Sequence, residues 1–380
     1  MIGGAEDAKR TAFVYSDEFA RFSYGPTHPL KMSRLGLTRD LIAACGLLSL
    51  RNACYVEAPP ASDEDLLIYH DSAYLDVLKR ANEGVLPPGA YRYGLGPGDN
   101  PVFAGLLDWS RLVAGASLQA ASLVLNGDAD IAFSISGGLH HATASRASGF
   151  CYINDAAIAI QWLLNKGTRI AYIDIDAHHG DGVQEAFYDS EDVLTISIHQ
   201  TGRSLFPGTG FEDEAGRGKG IGYSVNVPMP SGADDELFLF AFEEIVPPLI
   251  AAFKPDIVVS QLGVDTFRSD PLAGLNYTTA GFCHAVKRIK EISPRWAALG
   301  GGGYNVANVA RAWTLAWAIM NGVEAPDSIP DDFLEAHSRE GFSTGRIRDE
   351  AYTETQPSKE RLRREVAQVV ARLKKSLPKG

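Results

Sequence analysis

From about residue 130 onward the chain alternates between two patterns. Short apolar runs rich in β-branched residues, ADIAFSIS (129–136), RIAYIDID (169–176), DVLTISIH (192–199), DIVVSQLG (256–263) and RWAALGG (295–301), are separated by longer stretches with helical spacing. That alternation predicts βαβ units around a parallel sheet. Two of the intervening stretches, NDAAIAIQWLLNKG (154–167) and DDELFLFAFEEIVPPLIAAF (234–253), open on Asn or Asp, whose side chains cap helix N-termini. The expected class is a doubly wound α/β fold.

The first third reads as helical, with LTRDLIAACGLLSL (37–50) and DWSRLVAGASLQAASLVLNG (108–127). Between them the Gly/Pro-rich passage VLPPGAYRYGLGPGDNPVFAG (85–105) predicts a long surface loop, and long loops in compact domains often carry function. At the far end SKERLRREVAQVVARLKKSL (358–377) predicts an exposed amphipathic helix rich in Lys and Arg. With no internal repeat or low-complexity tract, residues 1–380 are expected to form one domain. Its catalytic core would span about 12–325, with a helical extension, 326–380, packed on or beside it.

Composition narrows the classes. A net charge of −12 argues against direct binding of nucleic acid, which needs clustered Lys and Arg. No secretory leader and no apolar run of about 18 residues is present, so a cytoplasmic protein without a membrane partner is expected. Cys45, Cys54, Cys151 and Cys283 form no C-x-x-C pair and read as reduced thiols.

In open parallel sheets ligands sit beyond the carboxyl ends of the strands. The first run is followed there by SGGLHHA, with His140 and His141. The second delivers Asp174, Asp176, His178, His179 and Asp181 within IDIDAHHGDGVQEAF (173–187). The fourth leads to Asp265 in QLGVDTFRSD, and the fifth to the glycine run 300–303 and Tyr304. A lone histidine or aspartate in such a place is ordinarily a satisfied core group or a helix cap, but here four strand ends agree.

Spacing sorts these residues. In an extended chain residues i and i+2 share a face roughly 6.5 Å apart, so Asp176 and His178 are able to meet on one ion. Asp174 lies on the same face two residues deeper, where it would support the site or hold a different cation. Asp265 is the nearest independent carboxylate, and a site of Asp176, His178 and Asp265 leaves positions open for water and substrate. The donors suit Zn²⁺, and equally Fe²⁺ or Mn²⁺. His140 and His141 would move protons near neutral pH, with Asp174 and Asp181 behind them. Tyr304, carried on glycines that let the backbone come close to the metal, would donate to a developing oxyanion.

These residues together resemble the histone deacetylase superfamily, especially its bacterial acetoin-utilisation-type members. The likeness runs through YGPTHPLKMSRLGLT (24–38), DNPVFAG (99–105), SGGLHHA (136–142), SGFCYIND (148–155), DIDAHHGDGVQEAFY (174–188), LFPGTG (205–210), GKGIGYSVNVP (218–228), GVDTFRSDPLAG (263–274) and LGGGGYN (299–305). It implies the arginase/deacetylase α/β fold: a central eight-stranded parallel sheet with helices on both faces and long active-site loops. It also implies a hydrolase that removes the acetyl group from acetyl-lysine in a protein or peptide.

Carried over by resemblance, Asp176, His178 and Asp265 hold the metal. His141, backed by Asp181, is the main general base and acid, while His140, backed by Asp174, is mainly electrostatic; Tyr304 polarises the acetyl carbonyl. Gly149, Phe150 and Phe206 wall a narrow acyl-lysine tube with Leu272 near its mouth, and Asp99 grips the substrate backbone. A structural potassium would lie among Asp174, Asp176, His178, Ser197 and Ile198, and a second around Phe187, Ser190, Val193 and Tyr223. Arg34 would sit in a channel behind the site, suited to a departing carboxylate. Gln200 and the Ser204-Leu205 step depart from many eukaryotic members and favour the bacterial branch.

Three other readings compete. An arginase-type ureohydrolase needs two bridged manganese ions held by D-A-H-x-D and D-x-D-x-x-D-P, but here Gly180 and Phe267 occupy two of the aspartate positions. Hydrolysis of a small acetylated amine such as an acetylpolyamine would use the same machinery but predicts an extra loop or a dimer covering the tube. A non-catalytic acyl binder would lack the metal ligands or Tyr304. Cys151, His28, His70, His179 and His284 are read as structural, and the oligomeric state is open.

Overall fold

The computed structural model describes residues 9–342, 344–350, 352 and 358–376. Residues 1–8 and 377–380 of the expected domain, and with them the last residue of the expected terminal helix, lie outside the described residues. Eight strands form the sheet: β1 Thr11–Tyr15, β2 Ala53–Glu57, β3 Ile131–Ser134, β4 Ile170–Asp174, β5 Val193–Gln200, β6 Ser224–Met229, β7 Ile257–Gln261 and β8 Trp296–Leu299. Their order is β2-β1-β3-β8-β7-β4-β5-β6, and every neighbouring pair is parallel.

The helices are α1 Ser33–Ala44, α2 Asp63–Leu66, α3 Ser72–Ala81, α4 Leu106–Asn126, α5 Asp155–Leu164 and α6 Asp181–Phe187. They continue with α7 Asp235–Phe253, α8 Thr279–Ile292, α9 Val306–Asn321, α10 Asp331–Ala336 and α11 Ser358–Ser376. Strands β3 to β8 are buried at every position, so helices and loops cover both faces of the sheet. The core is aromatic where α9 meets the sheet: Trp317 packs edge-on to Phe13 and Trp313 edge-on to Phe133.

The five expected strands all form, as β3, β4, β5, β7 and β8. The hydrophobic pattern alone does not reveal β1, β2 or β6. TAFVY lies before the strand–helix alternation begins, ACYVE is a half-exposed edge strand, and SVNVPM carries Asn226 and Pro228. Helix α1 starts earlier than expected and stops at Ala44, because Gly46 takes a left-handed conformation and the Leu47 N–H closes on the Ile42 carbonyl. Asn154 and Asp234 cap α5 and α7 as expected, accepting from Ala157 and Leu237 N–H groups. The 85–105 passage is a loop with one short 3₁₀ turn, Ala90–Tyr93.

The terminal helix is amphipathic, but its apolar stripe is not exposed. Leu362, Val366, Val370 and Leu373 are buried as α11 lies against α7 and β6. Lys359 is buried with them, pairing with Asp234 at 3.2 Å and with Glu236. Each such apolar side chain contributes about 2 kcal/mol of burial.

Chain order reverses in the middle of the sheet. After β3 the chain skips two positions to lay down β4, β5 and β6, then returns to fill the gap with β7 and β8. The four contiguous strands β3-β8-β7-β4 therefore bring their carboxyl ends to one crevice, and they are the strands whose loops carry the expected chemistry.

Candidate active site

Strand β4 ends at Asp174, two residues earlier than the pattern suggested, so Asp176 and His178 meet in the loop beyond it rather than on an extended strand. The loop is fixed by its own side chains: the Asp176 N–H donates to Asp174 Oδ1 at 3.1 Å and the His178 N–H to Asp176 Oδ1 at 2.9 Å. Asp265, after β7, brings Oδ2 to 2.9 Å from His178 Nδ1, which also lies 3.2 Å from Asp176 Oδ1. One ligand atom from each of Asp176, His178 and Asp265 falls within 4.8 Å of the others, and all three residues are buried.

This donor set fits a cation. Burial and the neighbouring Asp176 charge push Asp265 up to about 7, because two buried carboxylates this close resist ionising together. Burial opposes a charge on His178 too, yet Asp265 and Asp176 outweigh it and lift the imidazole to about 10. The pair of carboxylates thus demands one positive charge at this point, which a divalent ion would supply in place of the proton. The remaining carboxylate oxygens are satisfied by Gln261 Nε2 and the Gly302 N–H on Asp176, and by the Ala177 N–H on Asp265. A methyl group on Gly302 would lie 2.3 Å from Asp265 Oδ2 and 2.7 Å from Asp176 Oδ2, so the glycine lets the β8 loop close over the two carboxylates.

His140 and His141, after β3, turn their Nε2 atoms to within 3.1 Å of each other. Each Nδ1 is backed by a carboxylate at 2.7 Å, His140 by Asp174 and His141 by Asp181. The two environments differ. Burial pulls His140 down, but Asp174 and Asp176 together push it up to about 9. Burial and the neighbouring His140 charge take His141 down to about 4. One imidazole is thus held protonated beside a neutral one. Gly180 packs against the first pair, where a methyl group would sit 2.5 Å from Asp174 Oδ2 and 3.3 Å from His140 Nδ1.

Above these groups stand aromatic walls. The Phe206 ring lies 5.1 Å edge-on from His141, and the Phe150 ring 5.7 Å edge-on from Tyr304. Phe150 has φ +69°, unusual for a bulky residue, and is held there by the Tyr24 hydroxyl donating to its carbonyl at 2.8 Å. The Tyr304 ring faces His178 at 6.5 Å, and burial raises its phenol well above the ordinary range. Gly149 and Phe206 also line a surface groove with Asp99, while Leu272 is exposed on the loop after β7. Arg34, in the first turn of α1, is buried behind the site. Its guanidinium donates to the Gly301 carbonyl at 2.7 Å, lies over Trp313, and leaves Nε without a partner.

Asp174 and Ser197 are register partners across β4 and β5, with Ile198 next in line. Phe187, Ser190 and Val193 mark the turn from α6 into β5, and the Tyr223 carbonyl accepts the Thr195 N–H. His179 bonds Thr209 and Gln184, away from the triad, and His28 bonds the Asp99 carbonyl. Sequence reasoning did not single out Gln261, Asp155 or Asp270, and it read Asn154 only as a helix cap. Asp155 is buried and takes the Gly138 and Leu139 N–H groups that set the His140 loop, while Asn154 Nδ2 holds the His140 and Ala142 carbonyls. Asp270 accepts the Tyr304 N–H at 2.8 Å. A polar residue ending or following an apolar strand was the available signal for Gln261; for the others, only the tertiary partner reveals the role.

An eight-stranded parallel sheet with this carboxylate–imidazole centre at its reversal defines a protein of the arginase/deacetylase fold with a candidate metal site. The model of the histone deacetylase domain matches residues 28–320. The acetoin utilization protein AcuC of Bacillus subtilis is 40% identical over 85% of this chain and 85% of its own. Histone deacetylase B of Dictyostelium discoideum is 40% identical over 87% of this chain and 78% of its own. The crystal structure of an HDAC homologue from Aquifex aeolicus superposes with a TM-score of 0.88 at 35% identity, covering 96% of this chain and 100% of that one. An HDAC homologue complexed with SAHA gives the same figures. The chain belongs to the histone deacetylase family.

Proposed function

We propose that this chain is a metal-dependent deacetylase that hydrolyses the acetyl amide of acetyl-lysine in a protein or peptide, releasing acetate and the free amine. One observation carries the reading: two His–Asp pairs flank a candidate cation triad at the foot of aromatic walls. Asp176, His178 and Asp265 would hold the ion, Zn²⁺ first and Fe²⁺ or Mn²⁺ on the same donors. Such an ion supplies Lewis acidity toward the amide oxygen and toward water.

The chain's own groups do the rest. Neutral His141 takes a proton from the attacking water through Nε2, with Asp181 fixing the tautomer. Protonated His140, held by Asp174, offsets the negative charge that develops, and the Tyr304 hydroxyl donates to the carbonyl oxygen as it becomes anionic. His141 then returns its proton to the amine nitrogen as the C–N bond breaks, which balances the hydrolysis. Gly149, Phe150 and Phe206 would enclose the apolar lysine stem, with Leu272 at the mouth and Asp99 on the peptide backbone. Arg34, with its Nε unpartnered, suits the departing acetate.

Potassium is assigned to Asp174, Asp176, His178, Ser197 and Ile198, supported by the β4–β5 register, and to Phe187, Ser190, Val193 and Tyr223. The one sheet, with α11 seated on α7, supports reading the chain as a single domain. The test is an assay of zinc-loaded protein against acetyl-lysine peptides, acetylpolyamines and arginine in parallel. Acetate release from the peptides is expected; hydrolysis of arginine alone would overturn the reading.

A further inference from the structure

Beside the aromatic walls lies a groove of about 450 Å³, and Gly149 and Phe206 belong to both. A peptide whose acyl-lysine entered between those walls would lay its neighbouring residues along this groove. Tyr91 gives the groove an apolar flank and Asp99 gives it a carboxylate. Its cation is Arg146.

Among the described residues some surface arginines, such as Arg217, Arg288 and Arg348, are paired with carboxylates, while others, such as Arg51, Arg92 and Arg203, are not. Arg146 is of the second kind, and it stands on the groove. Arg146 is exposed, no carboxylate of the described residues pairs with it, and its guanidinium reaches only the Arg92 carbonyl at 3.4 Å.

Its backbone, by contrast, is firmly held. Thr143 and Arg146 exchange backbone hydrogen bonds at 3.0 and 3.5 Å, and the Ala147 N–H donates to the Tyr93 carbonyl at 2.9 Å. Gly94 lets the groove loop close onto this turn: a methyl group there would lie 2.0 Å from the Ala147 carbonyl and 3.1 Å from Arg146 Cγ. The turn follows His141 by five residues, so the cation is placed by the same segment that places the imidazole.

Resting on the deacetylase reading, we infer that Arg146 forms a specificity subsite for a carboxylate next to the acyl-lysine. The carboxylate is either the side chain of a flanking Asp or Glu or the α-carboxylate of acetyl-lysine itself. A planar guanidinium offers a carboxylate two parallel donors, while Asp99 on the same groove disfavours a second acid and leaves room for backbone N–H groups. Because the site is open to water the discrimination is modest, roughly three- to ten-fold, and falls with added salt.

The test uses zinc-loaded full-length protein and peptides that differ only in the residue flanking acetyl-lysine: Asp, Glu, Ala or Lys on either side, plus free acetyl-lysine and its amide. Binding and turnover are both measured for the wild type, Arg146→Ala, Arg146→Lys and Arg146→Glu. The expected result is tighter KM and binding for the acidic peptides, a flattened preference in Arg146→Ala, partial retention in Arg146→Lys and reversal toward Lys-flanked peptides in Arg146→Glu. Preference for the free acid over its amide, without effect of flanking residues, would assign the α-carboxylate as the ligand. Equal handling of all peptides by the wild type, or a preference unchanged in Arg146→Ala and Arg146→Glu, would overturn the inference. Selective binding of acidic peptides without turnover of any would keep the subsite and sink the deacetylase reading.

Discussion

His140 and His141 face each other with their Nε2 atoms 3.1 Å apart, yet their surroundings drive them to opposite protonation states. The roles are therefore unequal. Replacing His141 by Ala should lower kcat by roughly 10²–10⁴, since no other neutral base is in place, and His140→Ala should cost less. Single-turnover rates on a peptide, with metal content measured alongside, decide this; the reverse order would exchange the assignments.

Tyr304 is anchored through its backbone, with Asp270 accepting its N–H, and its phenol carries no metal-ligand duty. Tyr304→Phe should lower kcat by roughly 10²–10³ while leaving the bound metal unchanged. Near-normal turnover in that variant removes the oxyanion role.

Without a cation, Asp265 and Asp176 keep His178 protonated, lifting it to about 10 against the pull of burial. Binding of Zn²⁺ near pH 7.5 should then release about one proton from this imidazole. Calorimetric titration in buffers of different ionisation enthalpy reads the number directly, and proton uptake on binding would contradict the proposed ligand set.

His70 links the fold to pH. Its Nε2 accepts the Asn154 N–H at 2.9 Å and its Nδ1 faces the Ala144 carbonyl at 3.2 Å, which fits only the neutral ring. Burial takes it down to about 4, against the lift from that carbonyl. The folded value lies below the unfolded one, near 6.5, so this stability is fully present above pH 6.5 and is lost as pH falls toward 4. The loss is about 3 kcal/mol. Denaturant unfolding of the wild type and His70→Gln between pH 7.5 and 4.5 should show a shallower pH dependence in the variant.

Lys359 ties α11 to the start of α7 through Asp234 and Glu236. Lys359→Ala removes the cation from the buried Asp234 carboxylate, which keeps the Leu237 N–H, and should lower unfolding stability by about 2 kcal/mol. Asp234→Asn in the same background should recover part of that loss, and a purely additive double variant would argue against direct coupling.

Much of this architecture is legible in the sequence because the centre is built on strand ends. Asp176, His178 and Asp265 stand just beyond apolar runs, and the runs are long enough to be recognised. The edges are harder to read: β2 is half exposed and β6 is interrupted by Asn226 and Pro228, so neither shows a clean period. Gln261, Asp155 and Asp270 are illegible for another reason. Their partners, Asp176 Oδ2, the Gly138 N–H and the Tyr304 N–H, come from loops of other segments, so even where a strand end marks the residue, as at Gln261, nothing local names its partner.

Gly180 closes off a different enzyme. A second ion beside the first would need a carboxylate near this position, but the contact with Asp174 and His140 leaves no room even for a methyl group. The His140–Asp174 pair and a two-ion centre are thus rival uses of the same few cubic ångströms. A redesign toward the second would have to dismantle the first before any new ligand could be introduced.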